Sequence, residues 1–141
     1  MGLAAALEAE CDSFSEREGI PAKFASASLP KTLPEDISLC LYRIAQESLR
    51  NIAKHANAAA VRLSLSGKAR DIVLGVQDSG SGFDMTGTQT KGGLGLVSME
   101  ERVRPLRGSL LIESEPGKGT KVEVRIPLQG GDETVENTAG R

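Results

Sequence analysis

The 141-residue chain is one domain of ordinary size, long enough to bury a real core, and with no Trp, one Tyr and three Phe that core must come mostly from Leu, Ile, Val and Ala. Lys and Arg number 17 against 19 Asp and Glu; the formal net charge of -2, without a basic block, disfavours a nucleic-acid partner. No apolar run approaches a membrane-spanning helix, and no signal-peptide pattern opens the chain.

Leu3, Leu7, Cys11 and Phe14 recur at helical spacing and predict a helix over Gly2 to Glu18. Its uncapped start is what a chain beginning inside a longer helix would show. Gly19-Ile-Pro21 ends it, and a weak strand follows from Ala22 to Ala27. After a proline-bearing loop comes the strongest helix, Pro34 to Ala56, with Glu35 and Asp36 at the positive end of its dipole. Ile37, Leu41, Ile44, Ser48 and Ile52 trace its apolar face, and Arg43, Glu47, Asn51 and Lys54 a polar stripe beside it. Asn57 stops it. Val61, Leu63 and Leu65, then Ile72, Leu74 and Val76, alternate with polar residues and predict two strands turning at Gly67 and Lys68. Ser79 to Lys91 reads as loop, and Leu94 to Leu106 as a helix with Leu96, Met99 and Val103 inward. Strands Ser109 to Ser114 and Thr120 to Leu128 are joined by Pro116-Gly-Lys-Gly119.

The clean alternation puts helices on one sheet face and water on the other. The expected fold is therefore α+β, a two-layer sandwich with a mixed, mainly antiparallel sheet. The expected domain is 1–128, followed by a polar, glycine-rich, disordered tail over 129–141. Cys11 and Cys40, far apart and without metal spacing, read as buried free thiols in a reducing compartment.

Three short stretches carry chemistry. In Glu47-Ser-Leu-Arg-Asn51, a carboxylate and an amide emerge together one helical turn apart. Magnesium takes oxygen ligands and is commonly held by one protein group plus nucleotide phosphates, a task the Asn51 amide fits. Glu47 can hold a water or polarise a nucleophile, and Lys54 could meet phosphate charge. An exposed polar stripe explains the same residues. In Asp78-Ser-Gly-Ser-Gly82, a carboxylate at a strand end can accept from an exocyclic amine such as that of adenine, while Gly80 and Gly82 let the backbone approach a flat base. An ordinary Asp-Ser-Gly turn is the other reading. Gly92, Gly93 and Gly95 lead into a helix whose first N–H groups could bind phosphate oxygens, or they form a plain hinge. Neither a Walker A motif nor a dinucleotide fingerprint is present. His55, the only histidine, reads either as a helix-end residue or as a phosphoacceptor or general base.

These residues resemble the GHKL (Bergerat-fold) ATPases. Glu47-Ser-Leu-Arg-Asn51-Ile-Ala-Lys-His-Ala56 is similar to their N box, Asp78-Ser-Gly-Ser-Gly82-Phe to their G1 box and Gly93-Leu-Gly95-Leu96 to their G2 box. Leu41-Tyr-Arg-Ile-Ala-Gln-Glu47, Gly93 to Val103 and Gly119 to Leu128 are similar to sensor histidine kinases that partner NarL-type response regulators. The resemblance implies ATP and Mg2+ as cofactors, with Asn51 on the metal and Glu47 assisting activation of the phosphoacceptor. It implies Asp78 on adenine, Gly80 and Gly82 around the base, and Thr120 in support. It also implies Gly92, Gly93, Leu94, Gly95 and Leu96 around the phosphates and a short lid from Phe83 to Gly92. The implied partners are a dimerisation and phosphoacceptor domain and, indirectly, the regulator; nucleic acid and membrane contact are not expected. A cytoplasmic location follows for this domain whether or not the parent kinase is membrane-anchored. His55 lies inside the N box and does not match the phosphoacceptor, so the chain is expected to bind ATP without phosphorylating itself. A stand-alone serine kinase resembling an anti-sigma factor, and a nucleotide-sensing module, are the rival readings.

Overall fold

The computed structural model describes residues 2–80 and 96–128. The element order is α1 (Leu3–Glu18), β1 (Ala22–Ala27), α2 (Glu35–Asn51), β2 (Val61–Lys68), β3 (Asp71–Asp78), α3 (Leu96–Val103), β4 (Ser109–Ser114) and β5 (Thr120–Pro127). The expected tail at 129–141 and the lid at 83–92 lie outside the described residues.

The strands form one five-stranded sheet in the order β1-β2-β3-β5-β4. β1 runs parallel to β2, because α2 carries the chain back between them; every other pair is antiparallel. Three of the cross-strand rows that face the helices lead along the sheet to its end, beyond the row of Ile72 and Ile126. Leu65, Leu74, Val124 and Leu110 form one row, and Leu63, Val76, Val122 and Ile112 the next. The third row, Val61, Asp78, Thr120 and Ser114, lies at the sheet end and changes from carbon to oxygen. Leu7, Cys11 and Phe14 of α1 pack into this core, with Ile37, Leu41, Ile44 and Leu49 of α2 and Met99 and Val103 of α3. Each such side chain, fully buried, contributes about 1.5–3 kcal/mol.

The local chemistry explains the boundaries. Gly19 takes a left-handed conformation (φ 71°) and its N–H donates to Ser15 O at 2.9 Å, closing α1. Ser15 Oγ then accepts from the Ala22 N–H at 2.8 Å, which starts β1. Asp36 Oδ1 accepts from the Ile37 N–H at 2.8 Å in the first turn of α2. Two expectations need correction. The predicted helix over Pro34 to Ala56 is α-helical only to Asn51; Ile52–Ala56 is a π-helical turn, ended by Asn57 at φ 51°. The β2–β3 turn sits one to two residues later than Gly67 and Lys68. Both lie in β2, and Ala69 makes the turn at φ 55°. Gly67 serves a different purpose, since a Cβ there would run into the Ser28 carbonyl oxygen beside β1.

Both cysteines are free and buried, as expected. Burial, reinforced by Asp12, Glu10 and Glu8, pushes the Cys11 thiol up to about 11, so it stays protonated and unreactive near neutral pH. No helix among the described residues is long and apolar enough to cross a membrane.

Candidate functional site

The oxygen-bearing row at the sheet end organises the site. Strand parity points Asp78 to the same side as Ile72, Leu74 and Val76, where it is only 6% exposed. Its Oδ1 accepts from the Gly80 N–H at 2.7 Å, and the Thr120 N–H donates to the same carboxylate. Burial pushes the Asp78 carboxyl above its ordinary value, and those two donors only partly offset it. Among the described residues no basic side chain forms an ion pair with it. A buried carboxylate held by backbone donors and without a cation retains acceptor capacity for a neutral donor.

Ser79 ties this turn to the chain leaving α2. Its Oγ accepts from the Ala59 and Ala60 N–H groups at 3.2 and 3.0 Å, and its own N–H donates to Ala60 O at 3.1 Å. Val61 then pairs directly with Asp78. The end of α2 and the Asp78 turn are therefore bound into one unit by a short connection. Sequence reading passed over Ser79, although a hydroxyl directly after a strand-end aspartate is a common backbone-tying signal.

Glu47 and Asn51 lie one turn apart at the end of α2, both half-buried. Glu47 Oε1 accepts from Arg50 Nη1 at 3.3 Å. Ser48, between them in sequence, buries an Oγ that has no hydrogen-bond partner among the described residues. Lys54 is exposed, and it falls in the π-helical turn rather than on the α-helical stripe expected for it. A π turn holds more residues than an α turn, so the side chains after Asn51 no longer follow the stripe's spacing.

On the other side of Asp78, Thr120 is its register partner on β5, and Ser114 of β4 is Thr120's partner. Ser114 Oγ and Thr120 Oγ1 are 2.8 Å apart, and Ser114 Oγ donates to Gly119 O at 3.2 Å. Gly119 has φ 82°, and a Cβ there would collide with the Asp78 carbonyl oxygen. A depression of about 510 Å³ opens along these strand ends, with Asp78, Ser114, Gly119 and Thr120 in its lining. Sequence reading missed Ser114 and Gly119 as parts of the site. Counting back from the Pro116–Gly119 turn places Ser114 opposite Thr120 and could have found the first.

Gly80 is buried, and its N–H is the one that donates to Asp78 Oδ1. Gly82, Gly92, Gly93, Leu94 and Gly95 lie outside the described residues, and Leu96 opens α3. Among the described residues no group of three His, Cys, Asp or Glu side chains could hold a metal. Were Mg2+ to bind here, the Asn51 amide oxygen is of the ligand type it takes, with nucleotide phosphates and water as the other ligands.

The comparisons agree with this geometry. A family model described as "Histidine kinase-, DNA gyrase B-, and HSP90-like ATPase" matches residues 37–130. The signal transduction histidine-protein kinase/phosphatase DegS of Brevibacillus brevis is 34% identical over 128 residues, covering 91% of this chain and 33% of that protein. The sensor histidine kinase MctS of Rhizobium johnstonii is 40% identical over 132 residues (90% and 28%), and ComP of Bacillus subtilis 37% over 129 (91% and 17%). This chain spans a third or less of each of those relatives. Among solved structures, the histidine kinase domain of the Erythrobacter litoralis EL346 blue-light activated kinase superposes with TM-score 0.71 at 22% identity, covering 92% of this chain and 66% of that one. The ATP-binding domain of PrrB from Mycobacterium tuberculosis gives 0.65 at 19% identity, covering 90% and 94%. The strand order, the buried Asp78 and the family match lead to one statement: this chain belongs to the histidine kinase-, DNA gyrase B- and HSP90-like ATPase family, with the fold of its histidine kinase members.

Proposed function

We propose that this domain binds Mg-ATP and, within a longer sensor kinase, presents the γ-phosphoryl group to a histidine on a separate dimerisation domain. The observation that carries the reading is Asp78: a buried carboxylate with no cation paired to it among the described residues, held by two backbone N–H groups at the end of a central strand. It suits an exocyclic amine. Asn51 would hold Mg2+ together with the phosphates, and Glu47 would orient the incoming histidine nucleophile. Mg2+ would supply charge neutralisation on the phosphates. Gly80 shapes the base pocket beside Asp78; Gly82 would do so too. Gly92, Gly93, Leu94, Gly95 and Leu96 would line the phosphates, and Lys54 would add a longer-range positive charge.

The sequence resemblance of Leu41–Glu47 and Gly119–Leu128 supports a NarL-type regulator as the eventual acceptor, and the kinase reading places this domain in the cytoplasm. No feature of the site favours the serine-kinase or nucleotide-sensor readings. The test is calorimetric titration of ATP with and without Mg2+, on wild type and on Asn51→Ala. Magnesium-dependent binding that Asn51→Ala abolishes is the expected result; binding indifferent to both would end the proposal. Incubated with Mg-ATP, the chain should acquire no acid-labile phosphate. A separately supplied dimerisation domain from a matching kinase should acquire it.

A further inference from the structure

We propose that Ser114, on the edge strand β4, is a positioning residue for base selection, acting through Thr120. This rests on the ATP-binding reading above. From β2 to β4 the first two of these rows are carbon throughout, and only the last brings three oxygen-bearing side chains together, from three different strands. Asp78, Thr120 and Ser114 also share one depression. A polar row at the rim of an apolar sheet, open to a cavity, is what a ligand edge would read.

The protons decide what the row offers. A hydroxyl has one proton and two lone pairs. The Gly119 carbonyl can only accept, so the Ser114 proton goes to it at 3.2 Å. The 2.8 Å contact between Ser114 Oγ and Thr120 Oγ1 is then made with the Thr120 proton. Thr120 is left with lone pairs alone for the cavity. The ionised Asp78 carboxylate is likewise an acceptor. The row therefore presents acceptors side by side, complementary to a purine bearing a 6-amino group and adverse to one bearing a 6-oxo group. Ser114 touches neither base nor phosphate in this account; it fixes which way its neighbour's proton points. Without it, the Thr120 hydroxyl is free to rotate and donate.

Inosine triphosphate differs from ATP at position 6 and is the direct probe. The measurement is the ratio of the dissociation constants for inosine triphosphate and ATP, both with Mg2+, on wild type, Ser114→Ala, Ser114→Thr and Thr120→Val. Wild type should prefer ATP strongly, and Ser114→Ala should narrow the ratio about tenfold, mainly by tighter inosine triphosphate binding. Ser114→Thr keeps the hydroxyl and should restore the ratio. Thr120→Val cannot donate and should keep discrimination against the 6-oxo group, even combined with Ser114→Ala. If Ser114→Ala weakens both nucleotides by one factor, Ser114 is merely structural and the proposal is overturned. A wild type that binds both nucleotides equally overturns it while leaving ATP binding intact. A wild type that binds neither overturns the functional reading as well. Should Ser114→Ala not fold, failure of Ser114→Thr to keep the wild-type ratio overturns the proposal.

Discussion

Asp71 and Asp78 stand at opposite ends of the same strand, β3, separated by an odd number of positions and hence on opposite faces of the sheet. Asp71 is on the face away from the helices. It pairs with Arg125 Nη1 at 3.0 Å, with the arginine 40% and the aspartate 25% exposed. Asp78 is on the helix face, buried, and served among the described residues by backbone N–H groups instead of a cation. Asp71 is already satisfied by its neighbour. Asp78 carries a desolvation cost that the free protein does not recover, the mark of a group kept for a ligand. Strand parity alone separates a surface ion pair from the proposed recognition group.

The strongest way to break this contrast is Asp78→Ala. It should weaken ATP binding by about 2–3 kcal/mol, roughly 30- to 150-fold, the range for hydrogen bonds to a charged group, as titration calorimetry would show. Gly119→Ala sharpens the contrast from the opposing strand. A side chain at positive φ, driven into the Asp78 carbonyl, should cost about 2 kcal/mol in a denaturant melt and weaken ATP binding too. Gly117→Ala shares the positive φ (81°) but meets open space, so it should cost only about 1 kcal/mol and leave affinity alone. Asp71→Asn should cost less than about 1 kcal/mol, fade in salt, and not touch affinity. An affinity loss matching that of Asp78→Ala would erase the distinction.

The smallest expected signal depends on pH. The folded Asp78 carboxyl holds its proton more tightly than the unfolded one. Its contribution to stability is therefore fully present below the ordinary carboxylate value and is lost as pH rises through the raised one. Asp78→Asn cannot ionise, so its melting temperature should gain on wild type as pH rises from about 4 to 7. A constant gap between the two melting curves would remove burial as the cause.

Most of the fold was legible because its signals are local. The alternation in β2, β3 and β5 and the helical spacing of α1 and α2 fixed the elements within a residue or two, except at the end of α2, where five residues expected as α-helix form the π turn. Asp78 was legible as a candidate acceptor, since it ends an apolar strand ahead of Gly80, although an ordinary Asp-Ser-Gly turn accounted for the same residues. What escaped depends on distant partners. Ala69 at positive φ is held by β2–β3 pairing and not by its own preference. The π turn after Asn51 looks like α-helix in composition. Ser114 carries no signal until β5 lies beside it. Gly119 reads as a turn glycine, and only the Asp78 carbonyl against it shows why no side chain fits.

The register of the sheet also has a consequence in time. β2 with β3, and β4 with β5, are hairpins of neighbouring residues: Lys68 meets Asp71, and Ser114 meets Thr120. The pairing of β3 with β5 joins Leu74 to Val124 and must wait for the closure of a long loop. Asp78 and Thr120 face each other across that late-closing seam. A nucleotide gripped by both would act as a clasp on the join between two hairpins, and the amides of β3 and β5 should gain more hydrogen-exchange protection from ATP than those of β1.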